Sequence, residues 1–265
     1  MIYFAMGYWV LGLAAGVALI GGVVGLACVR QSTLSVTARF RLVWLTAAAV
    51  SLGGVGTWLA VYVTMLGVDV PTGVMHYDVA RMVLAAFIAV AAVLGGLLVR
   101  GRVRDPKRLA GGVAVMGLGL GLMHFLGMGA IRVQGSVEVN PWASVGATAI
   151  ALAISFGVLW ATARFRPLPV LIGVGALFAL AVNALHYVGL AGVDVQVDPA
   201  VLPPSGEVLF TLFVPVFAMG TLSLAIPITA ILVAPDRSRS ARPTVPTPDA
   251  PRERSAQRRV PSPVS

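Results

Sequence analysis

Two histidines lie inside long apolar stretches of the chain, and methionines flank one of them. His124 lies within MHFLGM, which begins at Met123 and ends at Met128, and His186 lies within ALHYVGLA. Residues i and i+4 share a face of an α-helix, so His124 and Met128 point the same way. Imidazole and thioether together suit copper, and thioether favours Cu(I) in particular. Both are neutral ligands, so such a site needs no buried carboxylate.

The composition indicates an integral membrane protein. Of the 265 residues, 58% are hydrophobic and 11% are charged, and the mean hydropathy is +0.92. A soluble domain carries about a quarter charged residues. A membrane helix needs about 20 apolar residues. Seven such runs occur, at about 8–29, 42–67, 79–99, 110–131, 142–163, 169–193 and 208–233. We therefore predict an all-α, polytopic membrane protein with seven transmembrane helices.

The basic residues lie almost entirely on one side of these runs. The loops 30–41, 100–109 and 164–168, together with the tail after residue 234, hold 17 of the 19 Lys and Arg residues. Cytoplasmic loops retain Lys and Arg. We therefore expect a multi-pass protein of the inner (plasma) membrane, with its N-terminus outside and its C-terminus in the cytoplasm. The basic face then lies against anionic lipids, so we expect membrane lipids, and no nucleic acid, as partners.

The last 31 residues differ in composition from the rest of the chain. Residues 235–265 are rich in Pro, Ser and Arg and contain little that could be buried. We expect a membrane domain over residues 1–234 and a disordered, basic cytoplasmic tail over 235–265. The single cysteine, Cys28, excludes an internal disulfide and a multi-cysteine metal site.

The second, fourth and sixth apolar runs match one another when they are shifted by 62–63 residues. An aromatic, a small and a bulky apolar residue recur at fixed offsets after the histidine position. The positions that align are Val61, His124 and His186; Tyr62, Phe125 and Tyr187; Thr64, Gly127 and Gly189; and Met65, Met128 and Leu190. The bundle is therefore predicted to contain three helix-pair repeats plus a final helix. If the repeats pack around a common axis, His124 and His186 converge near the outer ends of their helices.

This pattern resembles the MHYT domain, a bacterial seven-helix membrane sensor module. Its mark is a Met-His-Tyr/Phe-x-Gly-Met motif repeated on the second, fourth and sixth helices. The segment from Met123 to Met128 matches the motif fully. The sixth run keeps His186 but has leucine at both methionine positions, and the second run keeps only Met65. The resemblance covers roughly residues 5–195 and implies copper binding, with sensing of redox state or diatomic gases.

The metal-ligand residues that we predict are His124, His186, Met128, Met123 and Met65. The alternative for the histidines is a neutral side chain bonded to a carbonyl, and the alternative for Met65 is core packing. The literal string MHYD at 75–78 lies in an outer loop and is out of register, so we interpret it as a coincidence. His76 would otherwise supply the imidazole that Val61 lacks.

These features favour a sensor that is not an enzyme, since no nucleophile and base are paired. We expect a stand-alone module that signals through a separate cytoplasmic protein, in an oligomeric state that the sequence does not define. The alternative is electron transfer, with His124 and His186 as axial ligands of a haem. Transporters usually show broken helices and intramembrane charge, whereas this sequence has no midplane charge and its repeats run in the same orientation, which disfavours transport. A degenerate member with a scaffolding role is the remaining alternative.

Overall fold

A computed structural model describes residues 2–70, 75–102, 105–165 and 167–233. It contains seven helices that are long and apolar enough to cross a membrane, which confirms the predicted all-α membrane architecture. They are α1 (Trp9–Leu34), α2 (Ala38–Gly67), α3 (Val79–Arg100), α4 (Pro106–Met128), α5 (Pro141–Arg164), α6 (Leu168–Leu190) and α7 (Leu209–Val233). The predicted tail, 235–265, lies outside the described residues.

Short polar side chains cap the starts of four of the described helices, and Thr37 does so for α2 by accepting a hydrogen bond from the amide of Phe40. Asp78 accepts a hydrogen bond from the amide of Arg81 at the start of α3, and Asn140 accepts one from the amide of Trp142 at the start of α5. Asp105 does the same for α4. These caps satisfy amides that the first turn of a helix leaves without partners.

Helices α1 to α6 pack in chain order, and α6 returns to pack against α1. The six helices therefore form a closed ring of three pairs, as the repeat predicts. Glycines allow the closest approaches: a Cβ at Gly21 in α1 would lie 2.5 Å from the backbone nitrogen of Gly56 in α2. Such contacts let two backbones meet in a membrane bundle.

Helix α7 lies outside this ring and packs against α2. It covers Tyr62, whose hydroxyl donates to the carbonyl of Leu209 at 3.3 Å. Tyr62 is 3% exposed, whereas Phe125 at the equivalent repeat position is 53% exposed. The final helix therefore distinguishes the first repeat from the second. It is interrupted at Leu224, shortly before Pro227, whereas Pro215 lies inside an unbroken helical segment.

The middle of α2 is not an ordinary α-helix. Residues Val50–Leu59 form a π-helix, and the hydroxyl of Thr57 donates to the carbonyl of Leu52, five residues earlier. This stretch is buried between neighbouring helices, and a Cβ at Gly53 would lie 2.5 Å from the carbonyl oxygen of Ala89 in α3. The wider π turn and the absent side chain together let α3 pack closely here. π-helical segments are often found at functional positions in helices.

Five short strands join the loops at one end of the bundle, which we call the sheet end. The strands are β1 (His76–Tyr77), β2 (Ile131–Arg132), β3 (Gly135–Val139), β4 (Val193–Val197) and β5 (Glu207–Val208). β1 pairs with both β2 and β5, and β3 pairs with β4, antiparallel in every case. The N-terminal segment joins the same end, because Ile2 and Asp69 exchange backbone hydrogen bonds at 2.9 Å. We call the opposite end, with the predicted cytoplasmic loops, the basic end.

Candidate functional site

His124 and His186 meet inside the bundle. They lie on α4 and α6, each four residues before the helix ends at Met128 and Leu190. Their ring centroids are 5.8 Å apart and the rings are nearly perpendicular, at 87°. His124 is 2% exposed and His186 is 0% exposed. The fourth and sixth helices thus bring the two imidazoles together close to the sheet end, as the repeat predicts.

Neither imidazole has a hydrogen-bond partner among the residues that the structure describes. Both Nδ1 and Nε2 of His124 and of His186 are buried without one. A neutral imidazole carries one donor and one acceptor, and leaving either unpaired in an apolar interior is unfavourable by about 1–3 kcal/mol. The sequence alternative of a histidine bonded to a carbonyl is therefore not what the structure shows. Four orphaned nitrogens on two touching rings are typical of a site for a ligand or an ion.

A glycine lets the two helices approach at this point. Gly189 lies one turn beyond His186 on α6, directly against Nε2 of His124, and a Cβ there would overlap that nitrogen. Gly127, at the matching position of the second repeat, has nothing within 4 Å of its would-be Cβ. The same motif position therefore has a packing role in one repeat and none in the other.

The three candidate methionines are all buried, at 1% for Met123, 3% for Met128 and 5% for Met65. Met128 is one turn after His124 and shares its side of α4. Met123 is next to His124 in sequence but lies on the same side of α4 as Gly119, four residues earlier. That side faces α3, because a Cβ at Gly119 would contact Ala92. Met65 lies on α2, which packs against α6. Helix position thus favours Met128, and a ligand role for any of the three stays a prediction.

One polar residue close to the pair was not predicted. Asn183 lies one turn before His186 on α6 and is 8% exposed. Its amide nitrogen donates to the carbonyl of Ala179 at 2.8 Å, whereas its Oδ1 is buried without a partner. A buried amide three residues from a histidine on one helix was a readable signal in the sequence AVNALH.

A cavity of about 510 Å³ opens at the sheet end and reaches Met128. Both Arg81 and Arg132 line it. Their guanidiniums contact the carboxylate of Asp78, at 3.5 Å and 3.2 Å. The amide of Arg81 and the side chain of Arg132 hold the pKa of Asp78 below its usual value. Asp78 thus pairs with an arginine of its own helix and with one from β2. Met128 thus lies between this cavity and the helix turn that carries His124.

His76 belongs to the sheet and not to a helix. Its backbone pairs with Arg132 on β2 and with Val208 on β5. The string at 75–78 therefore lies in the loop between α2 and α3, as its register predicts. Burial raises the pKa of the neighbouring Tyr77.

Among the described residues, no three His, Cys, Asp or Glu side chains come together as a metal-binding group. An ion between α4 and α6 would therefore use the two imidazoles with thioether, amide or external ligands. The donor set fits a soft, monovalent ion best, because it offers no carboxylate or thiolate to offset a second positive charge.

Fold and site together define an integral membrane protein with a polar cluster buried between its helices near one end. Residues 54–113 and 117–175 match the model of the MHYT family, which is described as a bacterial signalling protein N terminal repeat, so the chain contains two MHYT repeats. The two matches begin 63 residues apart, at 54 and 117, which confirms the predicted register between the second and fourth helices. The seven apolar helices and these repeats of membrane signalling proteins support an integral inner-membrane protein with a sensor role.

Two curated relatives carry this type of region within much longer proteins, both from Pseudomonas aeruginosa. One is the bifunctional diguanylate cyclase/cyclic di-GMP phosphodiesterase MucR, which is 31% identical over 160 residues, covering 58% of this chain and 23% of MucR. The other is the cyclic di-GMP phosphodiesterase NbdA, which is 30% identical over 171 residues, covering 60% of this chain and 21% of NbdA. The chain thus spans less than a quarter of each relative. No solved structure matches.

Proposed function

We propose that this module binds copper, as Cu(I), between α4 and α6 and that His124 and His186 are its ligands, with Met128 as the favoured thioether. One observation carries the proposal: four buried ring nitrogens, on two rings 5.8 Å apart, have no partner. A metal bound to two imidazoles at about 2.0 Å places the ring centroids roughly 5–6.5 Å apart. The observed separation falls within that interval, so one ion could hold both rings with little movement.

The charge of the ion supports Cu(I) over a divalent metal. The free energy of moving an ion out of water rises with the square of its charge, so a divalent ion is about four times as unfavourable in an apolar interior. No acidic side chain lies in the last two turns of α4 or α6 to compensate it. Imidazole and thioether ligands stabilise the monovalent state of copper.

The position of the site suggests how copper binding would be transmitted through the bundle as a signal. A ligand that bridges His124 and His186 joins two helices whose ends the sheet connects through β3 and β4. A change in their separation would pass along both helices to the basic end. We propose that the sheet end faces outside and that the signal reaches a cytoplasmic protein, since MucR and NbdA are named as cyclic di-GMP enzymes. Redox state or a diatomic gas would act through the bound copper.

The haem alternative would use the same two histidines. A haem iron bound to both imidazoles would also place the ring centroids about 6.3 Å apart, so the separation of the rings does not distinguish the two ligands. A porphyrin needs space around the iron, whereas Gly189 lies directly against Nε2 of His124. This close packing of α4 and α6 favours an ion. An absorption spectrum of the purified protein distinguishes the two, because a haem gives an intense visible band and Cu(I) gives none.

The test is the copper content of the purified full chain after loading with Cu(I). We expect about one copper per chain in the wild type and less than about a tenth of that in the double variant His124→Ala/His186→Ala. His76→Ala is the matched control, because it removes the remaining histidine and leaves the pair intact. Equal copper in all three proteins would remove the copper site and leave the family assignment unaffected.

A further inference from the structure

A second cavity lies at the opposite end of the bundle. Its volume is about 270 Å³, and α1, α2, α3 and α5 contribute to its walls. Three arginines line it: Arg41 from α2, Arg100 from the end of α3, and Arg102 from the following loop. These residues belong to the basic end, whereas the histidine pair lies near the opposite ends of α4 and α6. The cavity is therefore independent of the proposed copper site.

The arginines are held in different ways. The Nη2 of Arg102 donates to the carbonyls of Ser32 at 3.2 Å and Ser35 at 2.6 Å, which fixes it against the end of α1. The Nε of Arg100 donates to the carbonyl of Leu159 in α5 at 3.1 Å. Two of the three guanidiniums are thus positioned by backbone carbonyls, as donors are in a preformed anion site.

Arg41 differs from both. Its guanidinium makes no hydrogen bond or ion pair with any residue that the structure describes, and it lies close enough to Arg102 for the two positive charges to repel. Like charges at short range are unfavourable unless an anion lies between them. The hydroxyls of the cavity do not compete for such an anion, because Ser32, Thr33 and Thr162 donate into their own helices. The donors that point to a ligand are therefore the guanidiniums.

We propose that this cavity binds a phosphate group. Guanidiniums match the oxygens of a phosphate in a bidentate fashion. A volume of 270 Å³ is at the lower edge of the roughly 300–1,000 Å³ that drug-sized ligands occupy, so it suits a headgroup better than a nucleotide. The residues lie at helix ends, where basic pockets between membrane helices receive anionic headgroups. The phosphate comes either from such a phospholipid or from a soluble phosphate.

Thermal unfolding of the full chain in detergent separates these sources. One arm adds phosphatidylglycerol, with phosphatidylcholine as the neutral comparison. The other adds inorganic phosphate, with chloride at equal ionic strength. A ligand that binds only the folded protein raises the unfolding midpoint, and the rise grows with the logarithm of its concentration once this exceeds the dissociation constant. Stabilisation by phosphatidylglycerol alone identifies a lipid headgroup, and stabilisation by inorganic phosphate identifies a soluble ligand.

Arg41→Gln is the decisive variant, and Arg39→Gln is its matched control. Arg39 is exposed, lies two residues earlier on the same helix, and does not line the cavity. Because the guanidinium of Arg41 makes no bond of its own, its replacement should leave the unliganded protein folded. We expect affinity for the stabilising ligand to fall about tenfold in Arg41→Gln and to stay unchanged in Arg39→Gln. Equal loss in both variants, unchanged affinity in Arg41→Gln, or a wild type that neither ligand stabilises would overturn the proposal.

Discussion

Gly189 on α6 lies directly against Nε2 of His124 on α4, and any Cβ at position 189 would overlap the imidazole. The contact joins the two helices at the level of the histidine pair, since His186 is one turn away on the same helix. Position 189 therefore determines where the ring of His124 can lie. A side chain there must move either the ring or the helix.

Replacing this glycine by alanine tests the relationship. We expect Gly189→Ala to destabilise the protein by about 1–3 kcal/mol, because a well-packed interior has no space for the methyl group. Copper retention should fall as well, since His124 would leave its position beside His186. Thermal unfolding and metal analysis of the same preparation measure both effects.

Gly127→Ala is the matched control, because it occupies the same repeat position with nothing within 4 Å of the added methyl. It should be neutral or stabilising by up to about 1 kcal/mol, as alanine favours a helix over glycine. If the two variants had the same stability and the same copper content, the contact between Gly189 and His124 would contribute nothing measurable to either.

Much of this arrangement was readable from the sequence. Hydropathy gave the number and approximate ends of the helices, because a membrane requires long apolar runs. The repeat predicted that His124 and His186 lie close together, because equivalent positions in packed repeats face a common centre. Asp78 and Asn140 preceded helices in sequence and cap them in the structure.

Other features were not readable, for identifiable reasons. The π-helix over Val50–Leu59 changes the spacing along a segment that is apolar on every side, so no periodic pattern marks it. The strands β1, β2 and β5 are two residues long and depend on pairing between distant loops. The repeat does not mark Asn183, because the equivalent positions hold Trp58 and Gly121, although a buried amide in an apolar helix is itself informative.

The thioether of Met128 can be tested without disturbing packing. We expect Met128→Leu to lower Cu(I) affinity about tenfold, because leucine keeps the volume and removes the soft ligand. Stability should change by less than about 1.5 kcal/mol. Met116→Leu is the control, since Met116 is fully buried on the same helix, against Gly96 of α3. Competition with a Cu(I) chelator measures the Cu(I) affinity of both variants. Equal affinities in Met128→Leu and Met116→Leu would exclude Met128 as a ligand.

Asp78 makes stability depend on acid pH. Its pKa is lowered by the amide of Arg81 first, and then by the side chain of Arg132. A carboxyl with a lowered pKa stabilises the folded state above its unfolded value of about 3.9, and this contribution disappears as the pH falls through the folded value. Unfolding midpoints between about pH 6 and pH 3 should therefore decrease more steeply in the wild type than in Asp78→Asn.

Asparagine is as good a helix cap as aspartate, so Asp78→Asn keeps the cap of α3 and removes only the charge. The same change at Asp105, which caps α4 through the amide of Lys107, is the control for a general effect of losing a capping carboxylate. A wild type and an Asp78→Asn variant with parallel pH profiles would show that the two arginines do not stabilise the fold through this carboxylate.

The orientation of the bundle follows from its charge and can be measured by thiol labelling. The described sheet end has two arginines and six acidic residues, whereas the basic residues of the other loops gather at the basic end. Because basic loops stay in the cytoplasm, a cysteine at the sheet end should react with a membrane-impermeant maleimide in intact cells, and one at the basic end only after permeabilisation.

Ser205→Cys at the sheet end and Val36→Cys at the basic end serve this purpose, since both positions are exposed. Cys28 is fully buried and can be replaced by alanine in the background. The opposite labelling pattern would place the histidine pair near the cytoplasm, where the copper that it meets would be the cell's own, and the module could not report on conditions outside.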